Sequence, residues 1–128
     1  LFSNTIAPPL AAGSIKALEL LEEDSSLLRK LQENTRYFRS RMTGTGFQIP
    51  NGIHPIVPIL IGDEKMTKEM ASDLNRRGIF VVGFSFPVVP KRQARIRVQV
   101  SSAHSVKQLD SAVEQFEQSA REVGFTKN

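Results

Sequence analysis

Ala94-Arg95-Ile96-Arg97-Val98-Gln99-Val100 alternates polar and apolar residues without a break. A period of two places Ile96, Val98 and Val100 on one side of an extended segment and Arg95, Arg97 and Gln99 on the other. The segment reads as a strand with one core face, and a pair of arginines stands on its opposite face. Immediately upstream, Phe84-Ser85-Phe86-Pro87-Val88-Val89-Pro90 cannot be helix. Each proline lacks an N–H and biases its predecessor toward extended geometry. An apolar loop of limited freedom is expected to lead into the strand.

Working outward, Ser105 with Gln108 three residues on forms a capping-box pattern that opens a last helix, with Leu109, Ala112, Val113, Phe116 and Ala120 inward. Before the proline loop, Ile79 to Val82 reads as a short strand. It follows a helix capped at Thr67, with Met70, Ala71 and Leu74 inward, which ends through Arg76-Arg77 at Gly78. The apolar run Ile56 to Ile61 fits a buried strand, and Pro58 within it points to a sheet edge or a bulge. Gly62-Asp63 closes that strand, and Gly44 to Gly52 is a turn region. Asp24-Ser25-Ser26 offers caps for a helix in which Leu28, Leu31, Thr35, Phe38 and Met42 share a face and Gly44 is the stop. Its Arg36, Arg39 and Arg41 read as solvated charge at the negative end of the helix dipole. Pro8-Pro9 suits the start of a first helix through about Glu22, with Ala11, Ile15, Leu18 and Leu21 on one side and extended Leu1 to Ala7 before it.

Two helices, then strand, helix, strand, strand and helix pack most economically as an α+β domain of the α/β sandwich kind, a small, mostly antiparallel sheet with helices on one face. The other face stays uncovered and carries Arg95, Arg97 and Gln99. It has two readings, a solvated surface or a wall given to a site shared with another domain. Arginine's planar fork meets a carboxylate through two parallel hydrogen bonds, and a strand holds that fork more rigidly than a loop does. An amino acid or acid substrate would suit it.

The chain has 128 residues, 40% hydrophobic and 23% charged, which is one globular domain by size and composition. No apolar run approaches membrane-spanning length. The absence of cysteine removes disulfides, thiol nucleophiles and thiolate metal sites. A net charge of +4 is a mild excess rather than a nucleic-acid footprint. His54 and His104 are fifty residues apart and the chain has no cysteine, so a metal site would need carboxylates that the sequence cannot place, which argues against one. Ser101, Ser102 and Ser105 beside His104 are better explained by capping than by a triad, which is a geometry of separated residues. No phosphate-cradling glycine motif is present, and the acidic runs sit at element ends. Leu1 and the residues after it give no start or targeting signal, so the chain is expected to be part of something longer.

Leu1-Phe2-Ser3-Asn4-Thr5 followed by Ala7-Pro8, His54-Pro55-Ile56, Gly62-Asp63, the block Gly83 to Lys91, and Ala94-Arg95-Ile96-Arg97 together resemble the α-oxoamine synthases. These are pyridoxal-phosphate enzymes of the fold-type I aminotransferase architecture, and the resemblance runs through nearly the whole chain. Pro87-Val88-Val89-Pro90 and Arg95-Ile96-Arg97 are similar to the member that condenses glycine with acetyl-CoA. They are less like those that make 5-aminolevulinate, 8-amino-7-oxononanoate or 3-ketosphinganine. The resemblance implies an acyltransferase of threonine and glycine metabolism that forms 2-amino-3-ketobutyrate and CoA, or runs the reverse cleavage. It also implies a carboxy-terminal small domain over residues 8–128, with residues 1–7 leading in from a large domain. The assembly implied is a homodimer, with threonine dehydrogenase as a further partner, no nucleic acid and no membrane; a mitochondrial location is expected, with the cytoplasm as the alternative.

Carried over by position, Arg97 matches the arginine that binds the substrate carboxylate. Ser3 and Asn4 match the pair that approaches the pyridoxal 5′-phosphate of the other subunit, with Ser3 suited to a phosphate hydrogen bond. Phe86 and Pro87 fall in the loop bordering the active site, and Arg95 is structural. No catalytic residue is expected in this stretch, because the Schiff-base lysine and its companions would lie upstream of Leu1; the chain alone is not expected to be active. Two positions depart from the pattern. Phe86 stands where tyrosine is expected, and Arg92 where glycine is expected. The alternatives are an α-oxoamine synthase with another acyl-CoA, or a basic interaction domain binding RNA or an acidic partner through Arg36, Arg39, Arg76, Arg77 and the arginine strand.

Overall fold

The alternating strand is the middle of the sheet. In the computed structural model, which describes residues 25–127, the elements run α1 (Ser25–Gly44), β1 (Ile56–Gly62), α2 (Glu64–Arg76), β2 (Val82–Phe84), β3 (Ala94–Gln99) and α3 (Val106–Val123). The expected lead-in and first helix, with Ser3 and Asn4, lie outside the described residues. The sheet order is β1-β3-β2, and both pairings are antiparallel. Pro58 sits on β1, an edge strand, where a missing N–H costs no internal ladder bond. The register also shifts between Leu60 and Gly62, so the edge and the irregularity expected from Pro58 both occur in this strand.

Burial follows the alternation. Ile96, Val98 and Val100 are buried with Val57, Ile59 and Ile61 of β1 against the helices. α2 lies against all three strands, while α3 packs on α1 and α2. Phe38, Met42, Met70, Leu74, Val113 and Phe116 complete the core. Full burial of each large apolar side chain contributes roughly 1.5–3 kcal/mol. Phe47 joins them from the turn after α1, edge-on to Phe116 at 5.9 Å and stacked on Phe125 at 6.3 Å. The described residues therefore form the expected α+β layer pair, with the second sheet face open.

Three local expectations change. Asp63, not Thr67, caps α2: its Oδ2 accepts from Met66 N at 2.8 Å, while Thr67 is buried inside the helix with its hydroxyl donating to Asp63 O. Ile79 to Val81 is not strand, because the helix end claims its backbone; Ile79 N donates to Leu74 O, and Val81 O accepts from Asn75 Nδ2. The strand begins at Val82 instead. Leu28, expected on the core face of α1, is largely exposed and borders a groove shared with Ile53 and Pro55. The stop of α1 at Gly44 holds, while its expected cap at Asp24 lies outside the described residues. Gly78 follows α2 with φ 89°, and Ser105 and Gln108 form the reciprocal capping box of α3.

Candidate functional site at the arginine face of the sheet

On the open face the register sets Pro58, Arg97 and Val82 in one row and Leu60, Arg95 and Phe84 in the next. Two cations thus stand among apolar side chains, but the structure treats them differently. Arg95 turns back along its own chain, with Nε donating to Gln93 O at 3.1 Å and Nη2 to Gln93 Oε1 at 3.4 Å. It lines a hollow of about 480 Å³ with Ile49, Pro50, Pro58, Leu60 and Gln93. Arg97 is exposed, and its guanidinium carbon lies 4.7 Å from the centre of the Phe84 ring. It makes no hydrogen bond or ion pair among the described residues, so its N–H fork is uncommitted.

The proline loop links β2 to β3. Its Phe86–Pro87 peptide is cis. Val88 N and Val89 N both donate to Ser85 O, and Phe86 N donates to Glu64 Oε2 at 3.3 Å, which ties the loop to the first turn of α2. Lys91 Nζ stands 5.1 Å from the Phe86 ring centre. Arg92, where the resemblance led glycine to be expected, has a left-handed backbone with φ 68°. The turn thus has a geometry that suits glycine while carrying a long side chain.

Arg39, Arg41, Arg76 and Arg77 are occupied, which for Arg39 and Arg41 departs from the reading of solvated charge on α1, whereas Arg36 is exposed as expected. Arg39 donates to Pro50 O, His54 O and Ile56 O at 2.9–3.3 Å, fastening the segment before β1. Arg41 pairs with Asp110 beside Tyr37, which holds its pKa above the ordinary value mainly through the Tyr37 hydrogen bond. Arg76 and Arg77 both pair with Asp73. A surface for RNA would need these groups free, and that takes away most of the basic patch.

The serine and histidine cluster is turn architecture. His104 Nδ1 accepts from Ser101 N, Ser101 Oγ accepts from Ala103 N, and buried Asn34 Nδ2 donates to Ser101 O and His104 O at 2.9 Å each. His54 Nδ1 accepts from Ile56 N. No group of three or more metal-ligating side chains occurs among the described residues, and no helix among them is long and apolar enough to cross a membrane. The described lysines include none enclosed in a site. What the open face offers is one exposed guanidinium stacked on an aromatic ring among apolar side chains.

The class of protein this architecture belongs to is given by its relatives. The model of the aminotransferase class I and II family matches residues 1–116, and the chain belongs to that family. Within it, the chain is 46% identical to mouse mitochondrial 2-amino-3-ketobutyrate coenzyme A ligase over 116 residues, covering 91% of this chain and 28% of the relative. It is 44% identical to the Escherichia coli K12 protein of that name over 124 residues, covering 97% and 31%. A serine palmitoyltransferase from S. paucimobilis, solved with PLP and myriocin bound, shares the fold at a TM-score of 0.78 and 20% identity, over 97% of this chain and 32% of that one. The chain spans less than a third of the length of each of these relatives.

Of the site residues expected from sequence, the described part contains Arg97 alone; Ser3 and Asn4 lie outside it. Nothing in the sequence pattern pointed to the ring beneath Arg97. Phe84 lies two residues beyond Val82 on the neighbouring strand, a diagonal spacing within reach of a long side chain, but that spacing became legible only with the register.

Proposed function

We propose that this chain is the carboxy-terminal small domain, residues 8–128 with residues 1–7 as lead-in, of a glycine C-acetyltransferase, 2-amino-3-ketobutyrate coenzyme A ligase. In that role it acts within a homodimer on glycine and acetyl-CoA, or on 2-amino-3-ketobutyrate and CoA. The observation that carries this is Arg97, whose uncommitted guanidinium stands on an open sheet face in a chain 46% identical to a relative so named. Arg97 supplies two parallel N–H donors to the glycine carboxylate and so fixes where the α-carbon lies. Ser3 and Asn4 approach the cofactor of the partner subunit, Ser3 toward its phosphate. Pyridoxal phosphate, when bound by the complete dimer, supplies the electron sink that makes the α-proton of glycine removable. Removal of that proton falls to residues outside this chain. Threonine dehydrogenase is the enzyme class that would deliver the reverse substrate. A mitochondrial location is supported by the mouse, human and cattle relatives, which carry that word in their names.

Hydrogen bonds to charged groups contribute about 1.5–3 kcal/mol each, so losing one arm of the clamp costs at least about tenfold. In the full-length enzyme, Arg97→Lys should raise the glycine KM by tenfold or more while the bound-cofactor absorbance persists. Unchanged glycine kinetics would remove the carboxylate role.

A further inference from the structure

Phe84 and Arg97 form a diagonal pair across β2 and β3: Phe84 stands opposite Arg95 and Val82 opposite Arg97, yet the ring lies under Arg97. We infer that Phe84 is a positioning residue for the substrate carboxylate, holding the Arg97 guanidinium against its ring so that the N–H fork points outward and free. This rests on the carboxylate role of Arg97 proposed above.

A free arginine has many rotamers, whose loss a ligand must overcome if the side chain is not already fixed. An acidic partner would fix it by consuming the fork. A bond to the backbone would do the same, and Arg95 shows the result, with its donors turned onto Gln93. An aromatic face is the third means. It attracts the planar cation through the ring quadrupole and leaves every N–H available. Arg97 is held in this third way, so of two arginines on one face the ring selects which one can receive a carboxylate.

The platform itself is anchored. β2 is a three-residue edge strand, and a side chain at Gly83 would meet Ala71 Cβ and Thr67 Cγ2 at 3.5 Å. The strand therefore sits close on α2, through a residue with no side chain, while Phe84 faces the opposite side of the sheet. Phe84 is half-buried, and the Arg97 guanidinium lies over its ring.

The test is steady-state kinetics of the full-length holoenzyme. Phe84→Leu should raise the glycine KM about three- to tenfold, the range expected for a cation–π contact partly shielded from water. The kcat and the acetyl-CoA KM should stay within about twofold, because the contact acts on binding rather than on the reacting atoms. Phe84→Tyr should restore the glycine KM. Pentafluorophenylalanine at position 84 keeps the ring's shape and reverses its quadrupole, so it should raise the glycine KM even if the leucine variant folds poorly. If Arg97→Lys raises the glycine KM but neither Phe84→Leu nor the fluorinated ring does, the platform is overturned and the carboxylate role stands. If Arg97→Lys leaves it unchanged, both fall. A loss of kcat with both KM values moved, unrepaired by tyrosine, would make Phe84 a packing residue and overturn the inference.

Discussion

Arg92 shows how one residue records both a fold and a departure from it. Its φ of 68° is a left-handed conformation, in which an L side chain crowds the backbone at a cost of about 1–2 kcal/mol. Glycine adopts the same conformation freely but loses more entropy on folding, which offsets part of the gain. Arg92→Gly should therefore stabilise the protein by about 1 kcal/mol in a urea titration; a destabilised variant would mean that the Arg92 side chain makes contacts that outweigh the backbone strain. That arginine is unusual at this position was expected from the sequence, while its left-handed backbone was not legible there. The same limit applies to the two arginines of β3. Alternation placed both on one face, but it could not say that Arg95 would bond back to Gln93 and Arg97 would not, since that depends on which acceptors the folded backbone brings within reach.

Among the elements, the helix ends were legible where a side chain closes on its own backbone a few residues away, as at Ser105 and Gln108. The start of α2 was misplaced because Asp63 and Thr67 both satisfy a cap pattern, and the choice between them depended on Thr67 becoming buried. Arg39 was read as solvent-facing because helical position gives no hint of a loop that returns from beyond the turn. Its guanidinium spans carbonyls of Pro50, His54 and Ile56, and Gly52 passes so close that a side chain there would meet it at 3.7 Å. Arg39→Ala should cost about 1–2 kcal/mol, since water replaces these bonds only in part. It should also speed proteolysis within residues 50–54. Arg39→Lys should recover less than half, because an ammonium cannot bridge carbonyls that a planar fork spans. A neutral Arg39→Ala would return this residue to the solvated role.

At the scale of the whole molecule, the open sheet face is supported by a helical layer that must stay fixed behind it, and one carboxylate ties that layer together. Asp73 on α2 accepts from Arg77 Nε at 2.7 Å and from Arg76 at 3.3 Å. The same Arg77 reaches across to Gln115 and Gln118 of α3 at 3.1 and 2.9 Å. The Arg77 hydrogen bond, against the opposing effect of burial, holds the Asp73 carboxyl below its ordinary value of 3.8. Ser119 Oγ helps from nearby without a hydrogen bond of ordinary geometry and is otherwise buried without a partner. Because the folded state favours the ionised form, this contribution is complete well above pH 3.8 and is lost as the pH falls through the lowered folded value. Asp73→Asn should be less stable than the parent at pH 7. The gap should stay constant down to about pH 5 and narrow steadily below it, because the variant has no carboxylate there to protonate. Urea titrations of both proteins across that range would show it. A gap independent of pH down to full acid unfolding would mean that Asp73 binds protons equally well folded and unfolded, and that the α2–α3 layer is held by packing alone.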